Sequence, residues 1–217
     1  MQNKKNFIFD LDGTLADTAG DIRKYLSMAL ADNGFIVDKE KIKIGPPLEI
    51  TLEHLLGKAG RQMSDKIVED YRKNYTTAEL SLTKPYPGMV ELLKKMAQGN
   101  LNVFVATFKP TASALIILNK YFDGLYKAVV SPSEIKNFNP CADKADLLNF
   151  LIENHKLDVS QCVMIGDAKT DITGARDVGM LSIAVLYGYA GADELAGADL
   201  SAENVDELEK IIFRLCK

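Results

Sequence analysis

Cysteine is scarce in this chain of 217 residues, and the three present, Cys141, Cys162 and Cys216, stand far apart with no C-x-x-C pair. That spacing argues against a disulfide framework or a structural zinc site and points to reduced thiols in a cytosol. Basic charge is not in excess either. Lysine and arginine number 26 against 30 acidic residues, a net charge of -4, which gives no general attraction to nucleic acid or an acidic membrane surface. No uninterrupted apolar run approaches the roughly 20 residues of a membrane span. The opening MQNKKNFIFD returns to charge after three apolar residues, so neither a secretory leader nor an anchor is expected. Internal repeats and low-complexity tracts are missing too. What remains is an ordinary globular composition, 47% hydrophobic and 26% charged. The chain is long enough for one large domain or one domain with an insertion, and a cytoplasmic location is expected.

Beyond the Pro- and Gly-rich break Lys84-Pro85-Tyr86-Pro87-Gly88, helix-like and strand-like segments alternate. MVELLKKMAQ leads to NVFVAT, TASALIILNKYF to AVVS, DKADLLNFLIENHK to CVMIGD, and TDITGARDVG to LSIAVL. Such alternation builds right-handed crossovers and a parallel sheet. The tail ENVDELEKIIFRLC reads as a closing amphipathic helix. A first strand near Asn6 to Phe9 resembles the later ones, but a helical stretch follows it. In ADTAGDIRKYLSMALADNGF, residues Ile22, Leu26, Ala29 and Leu30 recur at helical spacing and Gly34 is the stop. Then come LEITLEHLLGKAG and DKIVEDYRKNYTTAEL, separated by Gly and Ser. The expected fold is α/β, a Rossmann-like three-layer core with a central parallel sheet made of residues 1–16 and 84–217. A small helical domain, residues 17–83, is inserted after the first strand.

Polar residues of one kind gather where these strands end. FIF runs into Asp10 and Asp12, NVFVA into Thr107, and CVMIG into Asp167, with Asp171 one helical turn further on. In open parallel sheets, ligands bind in the crevice beyond the carboxyl ends of the strands. Each residue alone has a plain structural reading: Asp10 as a turn residue, Thr107 as an ordinary strand end, Asp167 and Asp171 as charges favoured at a helix N-terminus. Together they place four carboxylates on one edge, and their repulsion calls for compensation by a divalent cation and a lysine. The donors are oxygens, with no histidine or cysteine among them, which favours magnesium over zinc or copper.

DLDGTL at Asp10 to Leu15, Thr107, a lysine before a helix, and GDAKTD at Gly166 to Asp171 resemble the haloacid dehalogenase-like superfamily of phosphohydrolases. Within it, KIGPPLEITLEHLLG, AVLYGYAGADEL and the small helical insertion look like the phosphoglycolate phosphatase-like branch. The resemblance implies that Asp10 is a nucleophile that becomes an aspartyl phosphate, and that Asp12 protonates the leaving alkoxide and then deprotonates the attacking water. It implies magnesium on the Asp10 side chain, the Asp12 carbonyl and the Asp167 side chain, with Asp171 orienting metal-bound water or the lysine. The phosphate would meet Thr107 through its hydroxyl and N–H, the Asp12-Gly13-Thr14 turn, and Lys144. Phe108 lies in this phosphate-binding set where the family often carries Asn or Ser, while Lys109 is kept.

NFNPCADKADLL lacks the family's common Lys-Pro pair. Lys144 is chosen over Lys136 because it opens the helix before CVMIG; its bland alternative is a solvated surface lysine. The insertion would act as a cap, with Gly45-Pro46-Pro47-Leu48, Lys43 and Arg61 as specificity candidates. The implied activity is magnesium-dependent hydrolysis of a small, phosphoglycolate-like phosphate monoester. Phosphosugar mutase or phosphatase, pyrophosphatase and phosphonate hydrolase chemistry share the same core, and Lys41, Lys43 and Lys58 are candidates for the Schiff-base lysine of the last. Dehalogenation is disfavoured, since it needs neither Asp12 nor Asp167, and a module that only binds phosphate would be expected to lack one of the carboxylates. The expected partner is a small phosphate, not nucleic acid or membrane, for a monomer or dimer.

Overall fold

The computed structural model describes residues 3–45, 48–135 and 143–217. Pro46, Pro47, Lys136 and Cys141 lie outside the described residues. In chain order, β1 (Asn6–Phe9) and β2 (Ala16–Asp17) precede three helices, α1 (Ala19–Asp32), α2 (Leu48–Leu56) and α3 (Lys58–Thr76). The chain continues through β3 (Lys84–Pro85), α4 (Met89–Gln98), β4 (Asn102–Ala106), α5 (Thr111–Tyr121) and β5 (Ala128–Val130). It ends with α6 (Lys144–His155), β6 (Cys162–Gly166), α7 (Lys169–Asp177), β7 (Leu181–Val185), β8 (Leu200–Ala202) and α8 (Val205–Leu215). The chain divides into two compact units, Met1–Asp17 with Pro85–Lys217, and Thr18–Lys84.

The first unit is built on a six-stranded sheet in the order β5-β4-β1-β6-β7-β8, with every neighbouring pair parallel. This is the expected Rossmann-like architecture. Every residue of β1 is buried, and Phe7 faces Val103 on one side and Val163 on the other. Burying an aromatic or branched side chain of this kind contributes about 1.5–3 kcal/mol. Because successive side chains of a strand alternate between faces, Ile8, Phe104, Ala106 and Met164 form one face, covered by Leu147, Leu148 and Leu151 of α6 and Ala175 of α7. On this sheet α4 lies against β4, α8 against β8, and α4 against α8. From β1 the strand order runs outward both ways, to β4 and β5 and to β6, β7 and β8. The crevice at the carboxyl end of β1 is therefore the topological switch point.

Within the six-stranded sheet, one strand is not expected from the sequence. β8 adds to the sheet edge beside β7, with Leu200 opposite Ile183 and an exposed Ser201 in its centre. Three residues are too few to display a periodicity, and an edge strand has only one side to bury.

The second unit is helical. α1 buries Ile22, Leu26, Ala29 and Leu30, the stripe its spacing predicts, and packs on α3. Tyr75 of α3 meets the rings of Tyr25 and Tyr71 at 6.0 and 5.4 Å. The break expected around Ser64 is absent: α3 runs for 19 residues from Lys58, and Ser64 Oγ donates to Arg61 O in the preceding turn. The real break is Gly57, at φ 60°. Gly60 lets α3 lie close on α2, since a Cβ there would stand 2.3 Å from Leu52 O. Asp21 Oδ2 accepts from Leu82 N–H, Thr83 N–H and Thr83 Oγ1 at 3.0, 2.7 and 2.8 Å, tying the start of α1 to the segment that closes the insertion. Among the described residues no helix is long and apolar enough to cross a membrane.

Candidate active site

Asp10 extends β1 by one rung, its N–H donating to Ile165 O at 2.9 Å, and so brings its buried carboxylate to the switch point. The chain then turns sharply. Leu11 O accepts from the N–H groups of Leu15 and Ala16, both at 3.1 Å, and Gly13 N–H donates to Ala16 O at 2.9 Å. Gly13 has φ 85°, and a Cβ there would lie 2.1 Å from Asp167 Oδ2. Glycine is thus required both by the backbone conformation and by the close approach of the neighbouring carboxylate.

Asp167 leaves the end of β6 and is gripped from two loops. Thr14 Oγ1 donates to its Oδ1 at 2.9 Å and Tyr189 N–H to its Oδ2 at 2.8 Å. Gly188, in the loop after β7, passes so close that a Cβ would stand 2.1 Å from Asp167 Cβ. In the same loop Tyr187 donates its hydroxyl to Thr14 O at 3.3 Å and packs its ring 4.6 Å from that of Tyr86.

Lys144 is the first residue of α6 and only 1% exposed, which removes the solvated reading. Its Nζ donates to Asp10 Oδ1 at 2.8 Å and to Ala106 O at 3.0 Å. It also pairs with Asp171 Oδ1 at 2.8 Å, off the direction of a hydrogen bond. Asp171, fully buried in the first turn of α7, uses Oδ2 to accept from Ala168 N–H at 3.0 Å. Both its oxygens are therefore committed, which suits holding the lysine. Gly174 permits the approach of α7 to α6, since a Cβ there would meet Lys144 Cβ at 2.7 Å. The Phe108 ring stands 5.0 Å from Lys144 Nζ, a cation-π distance.

Two expected phosphate donors are engaged elsewhere. Thr107 N–H donates to Val130 O at 3.0 Å, because β4 continues its pairing with β5 past Ala106, and Gly13 N–H closes its own turn. The Thr107 hydroxyl accepts from Lys109 N–H at 3.1 Å. Lys109, to which the sequence reading gave no role, donates through Nζ to Asp12 Oδ1 and Oδ2 at 2.9 and 3.2 Å. A charge count could have flagged it, since one lysine and a divalent cation leave one of the four carboxylate charges unbalanced. Of the specificity candidates, Arg61 pairs with Glu53 on the surface and Lys43 is exposed, as are Lys41 and Lys58, the other two Schiff-base candidates.

Oxygens of Asp10, Asp167 and Asp171 all lie within 4.8 Å of one another. Burial pushes the Asp10 carboxyl up to about 8; Lys144 pulls it down, and Asp171, Asp167 and Asp12 push it further up. Asp167 is raised to about 6 by burial, against the Tyr189 N–H bond that lowers it. Burial alone would lower Lys144, but Asp10 and Asp171 outweigh it and leave the ammonium held above its ordinary value. Four carboxylates facing two buried lysines leave, in formal count, the charge that one divalent cation neutralises. The all-oxygen donor set fits magnesium.

Comparisons with known proteins identify the family. The family model described as "Haloacid dehalogenase-like hydrolase" matches residues 7–185. The chain is 32% identical to a 5'-nucleotidase of Pseudomonas aeruginosa, over 88% of this chain and 86% of that one. It is 28% identical to a phosphoglycolate phosphatase of Vibrio parahaemolyticus, over 98% and 97%. A solved hydrolase, a haloacid dehalogenase-like family protein from Streptococcus pneumoniae, superposes with a TM-score of 0.84 at 25% identity, over 99% of this chain and all of that one. With its match spanning most of the sequence and both halves of the carboxylate cluster, this chain belongs to the haloacid dehalogenase-like hydrolases.

Proposed function

We propose that this hydrolase is a magnesium-dependent phosphatase of small organic phosphate monoesters, acting through a phosphorylated Asp10. The observation that carries the reading is the meeting of Asp10 and Asp167 at the switch point, with both carboxyls raised by burial and Lys144 on Asp10 Oδ1. The side chains of Asp10 and Asp167 and the Asp12 carbonyl would hold the cation, which when bound draws charge from the phosphoryl oxygens and lessens the repulsion between nucleophile and substrate.

The residues of the chain do the rest. Lys144 favours the ionised form of Asp10 and aims it, and with the Thr107 hydroxyl it offers donors to the phosphoryl group. An Asp10 oxygen attacks phosphorus, the bond from phosphorus to the leaving oxygen breaks, and Asp12 gives its proton to that oxygen. Water then attacks the phosphoryl group, loses its proton to Asp12, and the bond to Asp10 breaks to release inorganic phosphate. Asp171 keeps Lys144 in place. The helical insertion, residues 17–83, is proposed to select the leaving group.

The branch resemblance and the phosphoglycolate phosphatase relatives favour a phosphoglycolate-like substrate. A nucleoside 5'-monophosphate is the second reading, favoured by the 32% identical relative. The test is phosphate release from phosphoglycolate, sugar phosphates, nucleoside monophosphates and pyrophosphate, with magnesium and with chelator. Magnesium-dependent release concentrated on a small monoester, and lost in Asp10→Asn, is the expected result. No release from any of them by folded, magnesium-loaded protein would overturn the reading.

A further inference from the structure

Lys109 is the second buried lysine at the sheet edge, its side chain 5% exposed, and the mechanism above gives it no task. Its ammonium touches both oxygens of the Asp12 carboxylate, at 2.9 and 3.2 Å. Contact with both oxygens fixes the direction in which the carboxylate faces as well as its distance. The lysine backbone is itself tethered. Its N–H donates to Thr107 Oγ1, Pro110 follows and restricts it to extended conformations, and α5 begins directly after that proline. Burying an ammonium is costly and ordering a lysine sacrifices rotamer freedom. A lysine that merely balanced charge would do so at less expense from the surface.

Asp12 has a demand that such a contact answers. It lies in a turn just past β1 and is less buried than Asp10, Asp167 or Asp171. In the proposed reaction it must release a proton at one point in space and collect another at nearly the same point. A misplacement of about 1 Å can cost two orders of magnitude.

We infer that Lys109 is a positioning residue for Asp12, holding its carboxylate toward the phosphoryl site through both halves of the turnover. This rests on the reading of Asp12 as the proton carrier. When Asp12 carries the proton, one of its oxygens gives up the contact with Lys109 while the other keeps it. When the proton passes to the leaving oxygen, the second contact re-forms. The carboxylate that takes the proton of the attacking water is then held at both oxygens.

The test compares Lys109→Met and Lys109→Arg in the parent and in Asp12→Asn, by steady-state kinetics on the best substrate and by crystal structures. Lys109→Met should lower kcat about 10- to 100-fold, a large part of what general acid-base catalysis supplies, with KM little changed. Arginine, able to fork onto a carboxylate, should restore most of it. In the Asp12→Asn background, Lys109→Met should cost nothing more, because residues acting through one group are not additive. The crystal structure of Lys109→Met should show the Asp12 carboxylate turned from its place. Losses that multiply across the two substitutions, or an Asp12 carboxylate unmoved in Lys109→Met, would overturn the inference. If the methionine variant does not fold, Lys109→Leu, which likewise has no donor, is judged by the same two criteria. Absence of phosphate release by the parent would defeat the phosphatase reading alone, since the Asp12 position in the variant still decides the role of Lys109.

Discussion

Asp21 in the helical unit and Asp171 in the α/β unit are both fully buried carboxylates in the first turn of a helix, yet their surroundings are opposite. One oxygen of Asp21 accepts from two backbone N–H groups and a hydroxyl, all neutral, and the result is a tie across the insertion. Asp171 faces an ammonium and stands in a cluster with two more carboxylates. Neutral donors suffice to bury a carboxylate for structure. Crowding like charges adds a cost that folding alone has no reason to bear. Burial of charge is therefore common to both regions, and what marks the site is mutual repulsion left for something else to offset.

The comparison breaks most visibly if Asp10 and Asp21 behave alike when replaced. Asp10→Asn should reduce phosphate release about 10⁴-fold or more, while its metal-free unfolding midpoint at pH 8 is no lower than the parent's, since a repelled buried charge has gone. Asp21→Ala should show the reverse. It leaves three donors without their acceptor and should lose about 3 kcal/mol in urea unfolding, with kcat per folded molecule preserved.

A smaller effect sharpens the electrostatic half of the contrast. Asp10 and Asp167 are raised in the folded protein, so without metal the fold binds their protons more tightly than the unfolded chain does. Their contribution is complete below the ordinary carboxylate range, and is lost as pH rises through about 6 for Asp167 and about 8 for Asp10. Metal-free stability should accordingly fall across pH 4 to 8 by more than in Asp10→Asn. Magnesium, by favouring the ionised forms, should stabilise most at the alkaline end, as thermal unfolding with and without chelator would show. The smallest effect belongs to Arg61→Ala. Its pair with Glu53 is exposed and screened by salt, and the unfolding midpoint should not move measurably.

The strands of the central sheet other than β8, and most of the candidate site, are legible in the sequence because the same pattern encodes both. A buried strand announces itself as an apolar run, and its end is visible where Asp10, Thr107 or Asp167 interrupts that run. Lys144 was legible from its place at a helix start, but that it lies between Asp10 and Asp171 depends on α6 and α7 meeting through Gly174. Lys109 was harder to assign because its partner Asp12 is 97 residues away in sequence. Gly188 and Tyr189 hold Asp167 from another strand's loop, by a backbone N–H and an absent side chain, neither of which leaves a chemical mark in a sequence. The unbroken α3 through Ser64 shows the converse: serine signals a break only where its hydroxyl competes with the helix, and here it bonds back into the preceding turn.

The most direct test is to quench the protein with acid during turnover of its best substrate and weigh the peptide that carries Asp10. The account predicts one added phosphoryl group on that peptide, dependent on magnesium and absent from Asp10→Asn. Rapid turnover with no phosphoryl group at Asp10, and Asp10→Asn retaining activity, would contradict it.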